Sequence, residues 1–433
     1  MGHVKDLKTG IKYKDTPIGK IPVDWEVKRL EDTASNEKYS FTGGPFGSDL
    51  KEDSYTDDGV RVIQLQNIGD GKFLNEHKIF TSEEKAGQLK NCNIYPGDII
   101  IAKMADPVAR ACIIPDEDKR YLMASDGIRL SINKEKYDVN FMLYAINSPN
   151  FRKNAESHST GSTRLRIGLT ELRNLLIAIP PLKDQKKIAE ILTTVDEAIE
   201  KTDQIIEKTK EVKKGLMQKL LTRGIGHKKF KKTEIGEIPE EWEVIRLKDI
   251  TQNFYNGGTP DTKIKDYWDG NIPWITGADF EDQKIKQFRR YITDEGVKNS
   301  ATNVVPKGNL LVVTRTGVGK LAIAPFDIAI SQDITGVILN LEKVLPQYIY
   351  WYLGYKSSRL RSIIQGTSIN GLLREDLEIF PIVLPKIDEQ KQISHILFSV
   401  DEELEKESNH KEHLELLKKG LMQVLLAGKI RVL

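Results

Sequence analysis

Along residues 185–223 apolar side chains fall at Ile188, Leu192, Val195, Ile199, Ile206, Val212, Leu216 and Leu220, mostly three or four apart, with charged residues between them. That period gathers them on one stripe of an α-helix. At ~1.5 Å per residue the helix would be about 58 Å long. The stripe is narrow, so it needs a partner helix. Asp184 and Asp388 stand at N-cap positions just after Pro181 and Pro385, and Gly224 and Gly428 lie near where two such helices would end. Elsewhere the period changes. Short β-rich runs at 61–65, 98–102, 310–314 and 335–339 are punctuated by Gly, Pro and Asn, and helical stretches are predicted at 139–148 and 346–365.

The chain repeats itself. TPIGKIPVDWEVKRLED at 16–32 returns as TEIGEIPEEWEVIRLKD at 233–249, and DQKKIAEILTTVDEAIEK from Asp184 returns as EQKQISHILFSVDEELEK from Glu389. The second match continues ungapped into KKGLMQKLL at 213–221 and KKGLMQVLL at 418–426. Two matched blocks in the same order identify a tandem duplication. The stretches between them differ more, although PGDII at 96–100 resembles PKGNLL at 306–311 and GST at 161–163 aligns with GTS at 366–368.

The expected fold is therefore α+β, a tandem pseudo-twofold repeat of two globular domains joined by two long antiparallel coiled-coil helices. Its parts are an N-terminal extension (1–15), a first domain (16–180), a central helix (181–226), a linker with the second domain (227–384, the linker being HKKFKK at 227–232), and a distal helix (385–433). Twofold-related helices pair with residue numbers summing to a constant, and the helix centres set it near 613. Ile188 then faces Leu425, Leu192 faces Leu421, Ile199 faces Leu414, Leu216 faces Leu397 and Leu220 faces Ile393. Lys208 would approach Glu405 and Lys210 would approach Glu403. A parallel pairing would oppose Asp196 and Glu197 to Asp401 and Glu402, a like-charge clash.

Composition adds limits. With 39% hydrophobic and 30% charged residues the chain reads as globular, and 65 Lys+Arg against 63 Asp+Glu make any basic surface a matter of local arrangement. Cys92 and Cys112 sit in no metal-ligand or CxxC spacing and are expected to be free thiols in a reducing cytoplasm. No signal core and no long apolar run appears, so a cytoplasmic, non-membrane protein is expected.

Catalytic motifs fail on inspection. RTGVGK at 315–320 lacks the phosphate-loop spacing and is read as a tight turn. PDEDK at 115–119 crowds acids and a lysine into one solvated loop. His410 and His413 share a helical face without a third ligand. SPNF at 148–151 lacks the second proline of an adenine methyltransferase tetrapeptide, and no GxSxG occurs.

GGPFGS at 43–48 followed by GVRVIQLQNI at 59–68, and GGTP at 257–260 followed by YWDGNIPWIT at 267–276, resemble the openings of target-recognition domains. With a Gly-Ser/Thr-Thr/Ser loop and a Gln-Lys-x-Ile helix start after each, nearly the whole chain resembles the specificity (S) subunit of type I restriction-modification enzymes. The resemblance implies a non-catalytic subunit, each domain reading half of a bipartite double-stranded DNA target. The helices would space the domains and dock two methyltransferase (M) subunits, which bind S-adenosylmethionine; separate restriction (R) subunits cut. No cofactor or metal site is expected on this chain. Candidate DNA contacts in the first domain are Gly44, Phe46, Ser48, Gln64, Gln66, Asn67, Lys103, Arg110, Ser162, Thr163, Arg164 and Arg166. In the second they are Thr259, Trp274, Thr276, Asp279, Arg315, Lys320, Thr367, Ser368 and Arg374, with Arg315, Lys320 and Arg374 as counterparts of the first domain's Lys103, Arg110, Arg164 and Arg166. Gln and Asn suit adenine and Arg suits guanine in the major groove. The alternative from another class is a structural adaptor whose duplicated domains bind proteins.

Overall fold

The computed structural model describes residues 4–5, 12–104, 106–161, 163–281, 283–363 and 371–432. The chain divides into two compact units, residues 1–203 with 410–433, and residues 204–409. The long helices, Leu182–Arg223 and Ile387–Leu425, each give one end to each unit.

The first unit is built around its two largest sheets. Ala111–Ile113, Ile99–Ala102, Gly127–Leu130 and Phe41–Gly43 form an antiparallel sheet in that order. Tyr55–Thr56, Ile79–Thr81, Val60–Ile63, Tyr121–Met123 and Asn93–Ile94 form the other, in which Val60–Ile63 and Tyr121–Met123 run parallel. The second unit repeats the plan. Thr251–Asn256, Ile334–Leu339, Leu310–Val313 and Leu321–Ile323 are antiparallel, and in the companion sheet Trp268–Ile275 runs parallel to Ile328–Ile330.

In the first unit Ile99, Ile101, Ile128 and Leu130 of the antiparallel sheet pack with Phe141, Leu172, Ile188, Leu192 and Leu425. In the second, Leu310, Val312 and Val337 pack with Tyr348, Trp351, Leu220, Ile393 and Leu397. The conserved half of the repeat explains the attachment. Trp25 and Trp242 are buried, and each closes on the glycine ending a long helix, Gly428 (φ +63°) and Gly224 (φ +62°). A left-handed residue is the usual stop for a helix, and glycine adopts it without a Cβ penalty. A Cβ at Gly224 would lie 2.5 Å from the Trp242 ring.

The helices pair antiparallel within each unit. Asp203–Lys411 (2.7 Å) and Asp196–Lys418 (2.6 Å) bridge them in the first unit and Lys213–Asp401 in the second. The numbers in each pair sum to 614, one above the register expected from the apolar stripe. Ile188, Leu192, Leu220, Ile393, Leu397 and Leu425 are buried, whereas Ile199, Leu216, Leu414 and Leu421 are half-buried. The expected cross-helix pairs of Lys208 and Lys210 do not form. Lys210 pairs with Glu207 on its own helix, and Glu405 is taken by Lys284 (3.2 Å).

Other boundaries shift for local reasons. The first long helix begins at Leu182, because the Pro181 carbonyl already accepts from the backbone N–H groups of Asp184 and Gln185. The second begins at Ile387, so the two acids expected as N-caps lie inside the first turns, where they suit the helix dipole. The run 61–65 stops as a strand at Ile63, and 98–102 starts at Ile99. The helix expected over 346–365 breaks at Lys356 into Pro346–Tyr355 and Ser357–Ser362, and the one over 139–148 ends at Ile146. The stretch 227–232 is not a plain linker: Phe230–Thr233 pairs with Gly236–Pro239, and His227 binds the Glu389 carboxylate (2.9 Å), which also accepts from Trp242 Nε1 (2.8 Å).

Cys92 and Cys112 are free and buried. Burial pushes the Cys92 thiol up to about 11 and the Cys112 thiol up to about 12. Neither is expected to react with iodoacetamide at pH 8 in the folded chain, while denaturant should release both; mass spectrometry of label uptake checks this. Label on the folded chain within minutes would contradict it. Among the described residues no helix is long and apolar enough to cross a membrane.

Candidate nucleic-acid interface

Parallel neighbours leave a sheet at the same edge, so the loops after them emerge side by side. In the first unit Ile63 is registered with Met123, and loops 64–67 and 124–126 therefore share one rim. Three more loops join it. A Cβ at Gly44 would sit 1.9 Å from the Ala124 carbonyl oxygen, so the loop after Phe41–Gly43 passes this point only with glycine. Lys103 N–H donates to the Asp126 carbonyl (2.7 Å), fixing the loop after Ile99–Ala102. Arg166, bridged to Thr160, is tied on through the Met104–Arg166 bridge and Ile167 N–H to the Lys103 carbonyl (3.0 Å).

The rim gathers most of the first set of candidates. Phe46 is 84% exposed. Gln64 Nε2 donates to Tyr55 Oη (3.2 Å), and Gln66 Nε2 donates to Gln64 Oε1 (3.0 Å). Phe46, Tyr55, Gln64, Gln66, Ser125 and Asp126 line a depression of about 270 Å³. Arg166 pairs with Asp126 (2.8 Å), Lys103 is half-buried, and Ser48, Thr163 and Arg164 are exposed. Ser162 lies outside the described residues. Two candidates have internal duties. Arg110 Nη2 donates to the Leu65 carbonyl (3.0 Å), so part of its guanidinium props the rim. Asn67 is fully buried: its Oδ1 accepts from Gln64 N–H (3.0 Å), and its Nδ2 donates to the carbonyls of Leu74 (3.0 Å) and His77 (2.8 Å). All of these bonds hold the loop.

The second unit has the same rim. Ile275 is registered with Ile330, a Cβ at Gly257 would lie 1.9 Å from the Ser331 carbonyl, and Thr314 N–H donates to the Asp333 carbonyl (2.8 Å). These matches equate Gln64 with Thr276, Gln66 with Ala278, Asn67 with Asp279, and Phe46 with Thr259. Asp279 is buried and accepts from Thr276 N–H and Oγ1 (2.8 Å each) and from Arg289. Burial alone would raise its pKa, but the Arg289 and Thr276 bonds outweigh that and hold it below the usual carboxylate value. Trp274 is buried too, its Nε1 donating to the Gly258 carbonyl (3.0 Å). Asp279 and Trp274, like Asn67, are therefore framework. Thr259 is exposed and donates to Gln332 Oε1 (2.5 Å), and Arg315 is exposed.

The cations correspond only partly as expected. Ala102 N–H donates to the Arg110 carbonyl and Val313 N–H to the Lys320 carbonyl, so Arg110 and Lys320 are equivalent. Lys320 Nζ binds the Phe280 carbonyl (2.9 Å), as Arg110 binds that of Leu65. Leu372 N–H donates to the Thr314 carbonyl as Ile167 does to Lys103, which aligns Arg374 with Leu169, not with an arginine. Arg374 pairs with Glu378 (2.7 Å) over the Phe254 ring. Thr367 and Ser368 lie outside the described residues. Sequence reasoning missed Tyr55, Ser125 and Asp126 in one rim and Gln332 in the other. The signal was present: Met123-Ala-Ser-Asp126 and Ile330-Ser-Gln-Asp333 each follow an apolar strand and share the aspartate. Among the described residues no group of three His, Cys, Asp or Glu side chains is placed to hold a metal ion.

The type I restriction modification DNA specificity domain profile matches residues 22–211 and again 239–416. The chain belongs to that family. It carries two of the family's domains, and related chains are named for the same role. A putative type I restriction enzyme MjaX specificity subunit of Methanocaldococcus jannaschii is 29% identical over 429 residues, 97% of each chain. The EcoR124I/EcoR124II specificity subunit of Escherichia coli is 31% identical over 173 residues, 38% of this chain and 41% of that one. The fold is similar to the S subunit structure from M. genitalium, with a TM-score of 0.58 at 15% identity over 93% of this chain and 96% of that one. It is also similar to a chain solved in work on complex assembly and conformational transition of the type I R-M system, with a TM-score of 0.59 at 16% identity over 95% and 99%.

Proposed function

We propose that this chain is the non-catalytic DNA-reading subunit of a type I restriction-modification complex, each rim reading one half of a bipartite duplex target. The observation that carries this is the rim built twice on equivalent backbone with different side chains. A shared frame fixes how loops approach a groove, and exchanged side chains change which base edges they meet. Lys103, Arg164, Arg166 and Arg315 supply charge for phosphates, and Gln64, Gln66, Thr259 and Thr276 supply hydrogen bonds. The paired helices set the spacing between half-sites and dock two methyltransferase subunits, which bind S-adenosylmethionine; restriction subunits complete the assembly.

The test is competition between specific and scrambled duplex for the complex of this chain with its methyltransferase partner, the target having been read by sequencing modified adenines. Preference for the specific duplex supports the reading, and equal competition refutes it. The chain alone, incubated with labelled S-adenosylmethionine and DNA, is expected to incorporate no methyl groups and to cut nothing. Incorporation without a partner would overturn the non-catalytic assignment.

A further inference from the structure

We infer that the first rim reads an A·T-containing step, with Gln66 on an adenine edge and Phe46 against a thymine methyl group. This rests on the DNA reading proposed above and specifies the chemistry of one half-site.

Gln66 is exposed at the end of a short relay. One Nε2 hydrogen goes to Gln64 Oε1, and Gln64 Nε2 in turn donates to Tyr55 Oη. The relay uses one Nε2 hydrogen of Gln66 and leaves its amide an acceptor, Oε1, and a second N–H donor on one plane. Adenine presents the complement in the major groove, the N6 donor beside the N7 acceptor. Guanine presents two acceptors there, which would set Gln66 Oε1 against O6.

Phe46 supplies the second half of the argument. It is 84% exposed, yet it stands on a fixed loop: Gly44 is jammed against Ala124, Pro45 is buried, and the Phe46 carbonyl accepts from Asp49 N–H (2.9 Å). A large aromatic held in water on a rigid loop gains only when something apolar covers it. The one apolar group on a major-groove base edge is the thymine C5 methyl. Phe46 and Gln66 line the same depression, so they address neighbouring positions. In the second unit the equivalent residues are Thr259 and Ala278, which offer neither an aromatic ring nor an amide. That rim is an internal control.

The experiment uses this chain with its methyltransferase partner and a duplex of the sequenced target. Each thymine of the first half-site is replaced singly by uracil, which lacks only the methyl, and each adenine by 7-deazaadenine, which lacks N7. One uracil position is expected to weaken binding about fourfold, the scale of one buried methyl. One 7-deazaadenine position is expected to weaken it about tenfold, within the range of a broken bidentate contact. In Phe46→Ala the uracil effect should vanish, and in Gln66→Ala the 7-deazaadenine effect should vanish. Both side chains are exposed, so neither variant should disturb the core; coupling to the base analogue separates contact from a structural defect. Sequence-specific binding in which no analogue effect disappears with its variant overturns this inference and leaves DNA reading intact. Loss of all sequence preference in the wild-type complex would remove both.

Discussion

Exchanging residues 33–179 for the corresponding stretch of a relative is expected to change one half of the methylated DNA sequence and leave the other half as it was. The first rim is assembled wholly inside that stretch, from the Gly44 loop to the Arg166 turn, and the second lies between residues 257 and 333. The junction suits exchange. Glu26–Arg29 is retained and pairs with Leu176–Ile179, which is replaced, but the antiparallel ladder uses backbone groups that every residue but proline supplies. Leu30 N–H to the Leu175 carbonyl (2.8 Å) is likewise independent of side chain. Sequencing modified adenines in cells carrying the hybrid and its methyltransferase partner gives the answer. If both halves change in a folded hybrid, the units do not read independently.

The second large effect concerns stability. Gln390→Leu and Gln185→Leu are each expected to destabilise the unit they belong to by about 3 kcal/mol, the sum of two buried polar groups left unpaired at ~1–3 kcal/mol each. Gln390 is fully buried, its Oε1 accepting from Leu345 N–H (2.8 Å) and its Nε2 donating to the Pro385 carbonyl (2.8 Å). Gln185 does the same with Asp138 N–H (2.9 Å) and the Pro180 carbonyl (2.9 Å). Leucine keeps the volume but offers neither group, so the start of the long helix loses its bolt to the loop before the domain's helix. Such a loss is a large share of the ~5–15 kcal/mol that holds a domain folded. Gln392→Leu, exposed in the same helix turn, should change stability by less than about 0.5 kcal/mol. Urea midpoints for the three variants decide it; equal midpoints would show that the buried amides carry no such weight.

The duplication, the two long helices and their antiparallel sense were legible because repeated blocks and apolar periodicity are strong signals. The register moved by one because the stripe locates a face, while ion pairs such as Lys213–Asp401 fix the position along it. Lys208 and Lys210 were misassigned because sequence counts only charges on the two helices, and Glu405 found Lys284 from outside them. In the rims, polarity alone could not separate an exposed side chain from a buried cap. Gln66 and Asn67 are adjacent amides of similar chemistry, yet one faces water and the other is sealed against Leu74 and His77. Only burial distinguishes them, and burial depends on strands far along the chain. The strand ending at Ile63 was overrun for the same reason, since the Gln64–Asn67 cap that ends it is a pairing, not a propensity.

The division of the chain into units has a consequence for the order in which the protein can be made. Residues 204–409 are contiguous, so that whole unit is synthesised before residues 410–433 are added. The other unit begins first and finishes last. Until residues 410–433 emerge, Ile188, Ala189 and Leu192 have no Leu425 to pack against, and Asp184 has no Arg431 (3.1 Å). At ~5–20 residues per second the nascent first half waits about 10–40 s for its closing segment. During that interval it presents an uncovered apolar stripe to chaperones and proteases. A stop codon near residue 410 therefore injures the unit that began at the other end of the chain, and spares the contiguous unit just before it.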